Sequence, residues 1–251
     1  MSPDTQAALA AAQRQIADMA AAHEAFVRAV VHDLRAPLRH VTSYGALTRE
    51  LLQELPGTAP EVAEALGFVA TMEQSARRMA AMLEGLRAIA HAGGKELQRA
   101  PQDLPALLEA VRAELEPAQA GRGLRWQVEL APGLPLLDAD GALLRALLLQ
   151  LLSNALKFTR AVAQPCIALR AGPAQDGRVH IVLQDNGVGF EPARAGMLLG
   201  VFQRLHRESE FEGVGAGLAL CKTIAERHGA QIAISAEPGA GCRVTLDWPA
   251  A

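Results

Sequence analysis

Four short segments carry residue types and spacings that could do chemistry. In Val30-Val-His32-Asp33-Leu-Arg-Ala-Pro37-Leu, a helical advance of about 100° per residue sets Val30 and Leu34 roughly 40° apart and His32 on the far side of both. The imidazole is expected to face solvent, where a histidine chosen for packing would not sit, with a carboxylate next to it. In Gln150-Leu-Leu-Ser-Asn154-Ala-Leu-Lys157, steps of four and three put the two amides and the ammonium on one helix face. An amide oxygen can ligate Mg²⁺ and an ammonium can meet a phosphate, so that face suits a metal–nucleotide complex. Asp185-Asn-Gly187-Val-Gly189-Phe190 follows an apolar strand. Its carboxylate can accept a hydrogen bond from an exocyclic amine, and its glycines let a ligand approach the backbone. Gly213-Val-Gly215-Ala-Gly217-Leu218 opens a helix, whose free amides and positive end form a phosphate site. Each segment alone also reads as plain structure: a solvated face with a proline kink, an amphipathic helix with a polar outer stripe, two glycine turns. The last lacks both a surrounding βαβ unit and a GK[ST] ending.

The elements that position these segments change character near residues 93–101. Before that boundary, residues 5–92 read as two long helices. The first carries Leu9, Ile16, Met19, Phe26, Val30, Leu34, Leu38, Val41, Gly45, Leu52 and Leu55 at spacings of mostly three and four, the seam of a coiled coil or bundle. Pro37 should loosen it by removing a backbone hydrogen bond. Leu55–Pro60 (LPGTAP) breaks the pattern, and Thr58 with Glu61 has capping-box spacing for a second helix. That helix bears Val62, Leu66, Val69, Met72, Met79, Leu83, Leu86 and Ile89 and stops at Gly93-Gly94. Such a hairpin cannot bury both stripes alone, so a second copy completing a four-helix bundle is expected.

Beyond the boundary, Asp103 caps a helix over 104–115 and 124–130 alternates as a strand. Asp140 caps a Leu-rich helix reaching Phe158, and 166–171 and 179–184 are strands joined by a turn at Asp176-Gly177. A helix over 217–228 is followed by strands QIAISA and CRVTLDW. This mixture implies an α+β sandwich, with helices on one face of the sheet.

Composition narrows the functional classes. With 24 Lys+Arg against 27 Asp+Glu, the formal charge is −3, which argues against a nucleic-acid binder held by phosphate contacts. No apolar run approaches the roughly 18–20 residues of a membrane span, and the N-terminus is no signal peptide. Three cysteines without metal-ligand spacing fit a reducing, cytoplasmic setting.

Taken in order, HDLRAPL, LLSNALKFT, DNGVGF, VFQRLH and GVGAGLAL resemble the phosphoacceptor, asparagine, first glycine, phenylalanine and second glycine boxes of bacterial sensor histidine kinases. The likeness spans residues 20 to 249. From FQRLH to ERHG it is especially similar to phytochrome-type and related hybrid kinases. The resemblance implies a signalling coiled-coil segment over 1–25, a dimerising phosphotransfer hairpin over 26–94, and an α/β-sandwich ATP-binding domain of the GHKL type over 101–251. By this likeness His32 takes the γ-phosphoryl group of ATP and Asp33 holds and accepts the other ring proton. A neutral imidazole with a free pKa of about 6.5 is a usable nucleophile, and a neighbouring carboxylate fixes its tautomer. Asn154 matches the Mg²⁺ ligand, Lys157 a phosphate contact and Asp185 the adenine-reading carboxylate. Gly187, Gly189, Gly213, Gly215 and Gly217, with Leu218, match the hinges and phosphate-side backbone of a lid, in which Arg204 and His206 would contact phosphate. The implied partners are a second copy, the receiver domain of a response regulator, and an upstream sensor domain or separate sensor protein.

Three positions depart from the family pattern. Gln150 replaces an asparagine and Ala146 a polar residue on the nucleotide face, which predicts slow autophosphorylation. Ala36 stands where many relatives carry Thr or Asn, which predicts weak phosphatase activity. A non-catalytic docking or phosphotransfer scaffold with a degenerate nucleotide domain is the alternative these departures leave open.

Overall fold

The computed structural model describes residues 3–54, 60–94, 96–119, 121–174, 176–206 and 210–251, with side chains of the first helix from residue 25. The chain divides into two compact units, 1–94 and 95–251.

The first unit is a hairpin of helix α1 (Pro3–Glu54) and helix α2 (Pro60–Gly94). Helix α1 runs unbroken through Pro37. Leu55 and Thr58 of the expected break and capping box lie outside the described residues. The hairpin's internal seam uses Val27 and Val31, buried against Ala90 with Leu83 and Leu86 packed alongside. It is therefore displaced from the expected Phe26–Val30–Leu34 stripe, which stays open: Phe26 is 66% exposed, and Leu34, Val41, Tyr44, Leu51, Met72 and Met79 are exposed too. A single pair of helices can cover only one flank of each apolar stripe. The seam also buries Glu73, held by Arg49 at 2.9 Å and Arg77 at 3.7 Å, which nothing in the periodicity announced.

The second unit is a five-stranded sheet of β2 (Arg125–Leu130), β4 (Cys166–Ala174), β5 (Arg178–Asp185), β6 (Gln231–Glu237) and β7 (Gly241–Pro249), in the order β2-β4-β5-β7-β6. The β2–β4 pair is parallel and the others antiparallel. Helices α3 (Leu104–Gln119), α4 (Gly141–Phe158) and α5 (Gly217–Arg227) complete the sandwich. The buried face of the sheet carries Ile167, Leu169, Val179, Ile181, Leu183, Val244, Leu246 and Trp248. Alternate residues on the other face form the ion pairs Arg170–Glu129 and His180–Asp247. Asp140 caps α4 as expected, accepting from the N–H groups of Ala142 and Leu143, and the Asp176-Gly177 turn takes positive φ at both residues, the backbone hand of tight hairpins. Sequence reading missed β1 (Arg99–Gln102) and β3 (Leu137–Asp140), which pair antiparallel; four-residue strands are too short to show alternation. Helix α4 is, among the described residues, the one long and apolar enough to cross a membrane. Its Leu143, Leu144, Leu147, Leu148, Leu151, Leu152 and Leu156 are buried within the sandwich, which accounts for its apolarity.

Candidate functional site

Asp185 ends β5 on the buried face of the sheet. Its Oδ1 accepts hydrogen bonds from the backbone N–H of Gly187 at 2.8 Å and of Cys242 at 3.3 Å, so Oδ2 is the oxygen left for a ligand. Burial pushes this carboxyl up to about 6, against the pull of those two backbone bonds. The glycines around it are sterically required. A Cβ on Gly187 would meet the Phe158 carbonyl oxygen at 2.6 Å, one on Gly189 (φ +61°) the Glu237 carbonyl oxygen at 1.9 Å, and one on Gly241 the Asp185 carbonyl oxygen at 2.0 Å. Asn186 ties the ends of β4 and β5 by accepting from the N–H of Cys166 at 2.8 Å and donating to the Gln164 carbonyl at 2.9 Å.

Gln150, Asn154 and Lys157 do share one half-buried face of α4. Gln150 packs on the start of α5, where a Cβ on Gly217 would come within 2.3 Å of its Nε2. No side chain caps that end of α5. Lys157 donates to the Glu212 carbonyl at 3.2 Å and sits 4.5 Å above the Phe158 ring. Burial lowers its pKa from the ordinary lysine value, Glu212 opposes the shift, and Arg204 and Arg160 add to it. The loop between β5 and α5 closes where the Phe202 N–H, at φ +61°, donates to the Gly215 carbonyl at 3.0 Å. Arg204 braces this loop by donating to the Phe211 carbonyl at 2.7 Å, and His206 packs against the rings of Phe158 and Phe211. Leu218 follows Gly217 in the first turn of α5.

The second unit thus gathers the end of β5, the outer face of α4 and the glycine turn before α5 into one polar region. Sequence reasoning missed Cys242, Arg160 and Glu212 there, although Glu212 immediately precedes the glycine run. Among the described residues no group of three or more His, Cys, Asp or Glu could hold a metal. A lone amide oxygen from Asn154 fits an ion that takes its remaining ligands from phosphates and water, as Mg²⁺ does.

His32 and Asp33 belong to the first unit. Their side chains are 85% and 80% exposed, with His32 Nδ1 to Asp33 Oδ1 at 3.1 Å. With Nδ1 donating, Nε2 carries the lone pair and faces solvent.

Residues 139–251 match the family of histidine kinase-, DNA gyrase B-, and HSP90-like ATPases. The adaptive-response sensory kinase SasA of Synechococcus sp. (strain JA-2-3B'a(2-13)) is 31% identical over 222 residues, 88% of this chain and 57% of that protein. The phosphate regulon sensor protein PhoR of Pseudomonas aeruginosa is 31% identical over 227 residues, 89% of this chain and 49% of its own. The chain is thus similar over most of its length to sensor histidine kinases, and its second unit carries the ATPase domain that the family model describes. It spans about half the length of these relatives. Full-length ShkA in complex with AMPPNP, 26% identical, superimposes with a TM-score of 0.63 over 90% of this chain and 46% of ShkA. The match to ShkA covers the helical hairpin as well as the α/β sandwich, and the family model places the sandwich in the GHKL type.

Proposed function

We propose that this chain catalyses ATP-dependent phosphorylation of His32 and passes the phosphoryl group to an aspartate in the receiver domain of a cytoplasmic response regulator. The observation that carries this is the His32–Asp33 pair: an imidazole held through Nδ1, with Nε2 turned to solvent and serving no packing purpose. Nε2 attacks the γ-phosphorus, the bond to the bridging oxygen breaks, and ADP leaves. As the ring becomes cationic, Asp33 draws off the Nδ1 proton.

In the second unit Asp185 Oδ2 accepts from the exocyclic amine of adenine, and Lys157 with the amides of Gly213–Leu218 meets the phosphates, with Arg204 and His206 in the lid closing over them. Gly187 and Gly189 let the backbone beside the base pack directly against the Phe158 and Glu237 carbonyls. Asn154 would present its amide oxygen to Mg²⁺, which neutralises phosphate charge during transfer. The exposed Phe26, Leu34, Val41 and Leu51 support a homodimer in which a second hairpin covers them.

Incubation with γ-³²P-ATP and Mg²⁺ should label the chain with acid-labile, base-stable phosphate that an added receiver domain removes. His32→Gln should take up none. Equal label on the variant would refute the assignment. A degenerate scaffold would show no metal-dependent ATP affinity in calorimetry.

A further inference from the structure

Lys157, in the last turn of α4, and Arg160, just beyond it, both hold Glu212. Lys157 Nζ donates to the Glu212 backbone carbonyl at 3.2 Å. Arg160 meets the carboxylate with both terminal nitrogens, Nη1 to Oε2 at 3.0 Å and Nη2 to Oε1. Two parallel bonds fix direction as well as distance, which a single lysine contact does not. The next residue is Gly213, at φ +121°, where a Cβ would stand 3.6 Å from Lys157 Nζ. The ammonium is therefore set against the first glycine of the turn, and Glu212 is the residue that holds it there. Arg160 and Glu212 are 56% and 67% exposed, and exposed pairs contribute little to folding. Stability gives small reason for this arrangement.

We propose that Arg160 and Glu212 form a clasp that positions the Gly213–Gly217 turn and the Lys157 ammonium for the phosphates of a bound nucleotide. They are positioning residues, and the role rests on the ATP-binding reading above. Simple charge argues for the opposite sign: Glu212 lies beside Lys157 and Arg160, so removing its charge would raise the attraction for phosphate if the carboxylate were only a competitor. The clasp requires removal to weaken binding.

The test uses the full chain, with Mg-ADP as the calorimetric probe and autophosphorylation rates measured against ATP concentration. Arg160→Gln and Glu212→Gln should each raise the Kd for Mg-ADP and the KM for ATP by about twofold to fivefold, the scale of one exposed ion pair, while kcat changes less than KM. The reversed pair, Arg160→Glu with Glu212→Arg, should recover most of the loss. Unchanged or tighter binding by Glu212→Gln overturns the clasp, as does failure of the reversed pair to recover. Absence of Mg-ADP binding by the unaltered chain would instead remove the nucleotide site itself, and the clasp with it.

Discussion

Replacing Asp185 by Asn should make the second unit more stable while disabling it. The native carboxyl titrates at about 6, against 3.8 ordinarily, because burial disfavours its charge. That difference of about 2 units corresponds to about 3 kcal/mol at 1.36 kcal/mol per unit. The native state keeps its proton up to about pH 6 and the unfolded chain releases it near pH 4, so wild-type stability falls as pH rises between those values and stays at the lower level above. Asn retains an oxygen for the N–H groups of Gly187 and Cys242 and carries no charge. Desolvating its amide costs about 1–2 kcal/mol, which leaves a net gain of about 1–2 kcal/mol at pH 8. Urea unfolding followed by tryptophan fluorescence reads this unit alone, since Trp126 and Trp248 are the chain's two tryptophans. The advantage of Asp185→Asn should be present at pH 8 and shrink by pH 4.5. Nucleotide affinity should fall at least about tenfold, because the amide can place a donor where the base offers one. A variant destabilised at pH 8, or a gap of equal size at both pH values, would refute the electrostatic reasoning.

Glycine substitutions should separate two kinds of close approach. Gly189→Ala drives a Cβ into the Glu237 carbonyl and should cost several kcal/mol or prevent folding. Gly217→Ala meets only the flexible end of Gln150, so it should cost under about 1 kcal/mol in thermal unfolding. Asp33→Asn should lower the autophosphorylation rate by about 10²-fold or more with KM for ATP unchanged, measured by initial rates of label incorporation. Leu34→Glu with Leu51→Glu should abolish the proposed dimer, leaving monomer in sedimentation velocity, because both side chains are exposed on α1.

Much of the site was legible because its chemistry is local in sequence. His32 and Asp33 are adjacent, the Gln150–Asn154–Lys157 face follows from helical spacing, and the two glycine runs mark where backbone must bend or be approached. The strands of the sheet were visible through alternation, and Asp140 through its place before a leucine run. These features depend on periods of two and about 3.6 residues, which the order of residues carries by itself.

What depends on distant parts of the chain was not legible. Which flank of α1 packs inward was decided by α2, which took Val27 and Val31 and left the Phe26 stripe open. The burial of Glu73, the reach of Arg160 to Glu212 across 52 residues, and the contact of Cys242 with Asp185 across 57 exist only once the chain has closed on itself. A side chain's periodicity states which neighbours share its face; the three-dimensional fold alone states what that face meets, and with it whether a charge is paired, buried or free to bind.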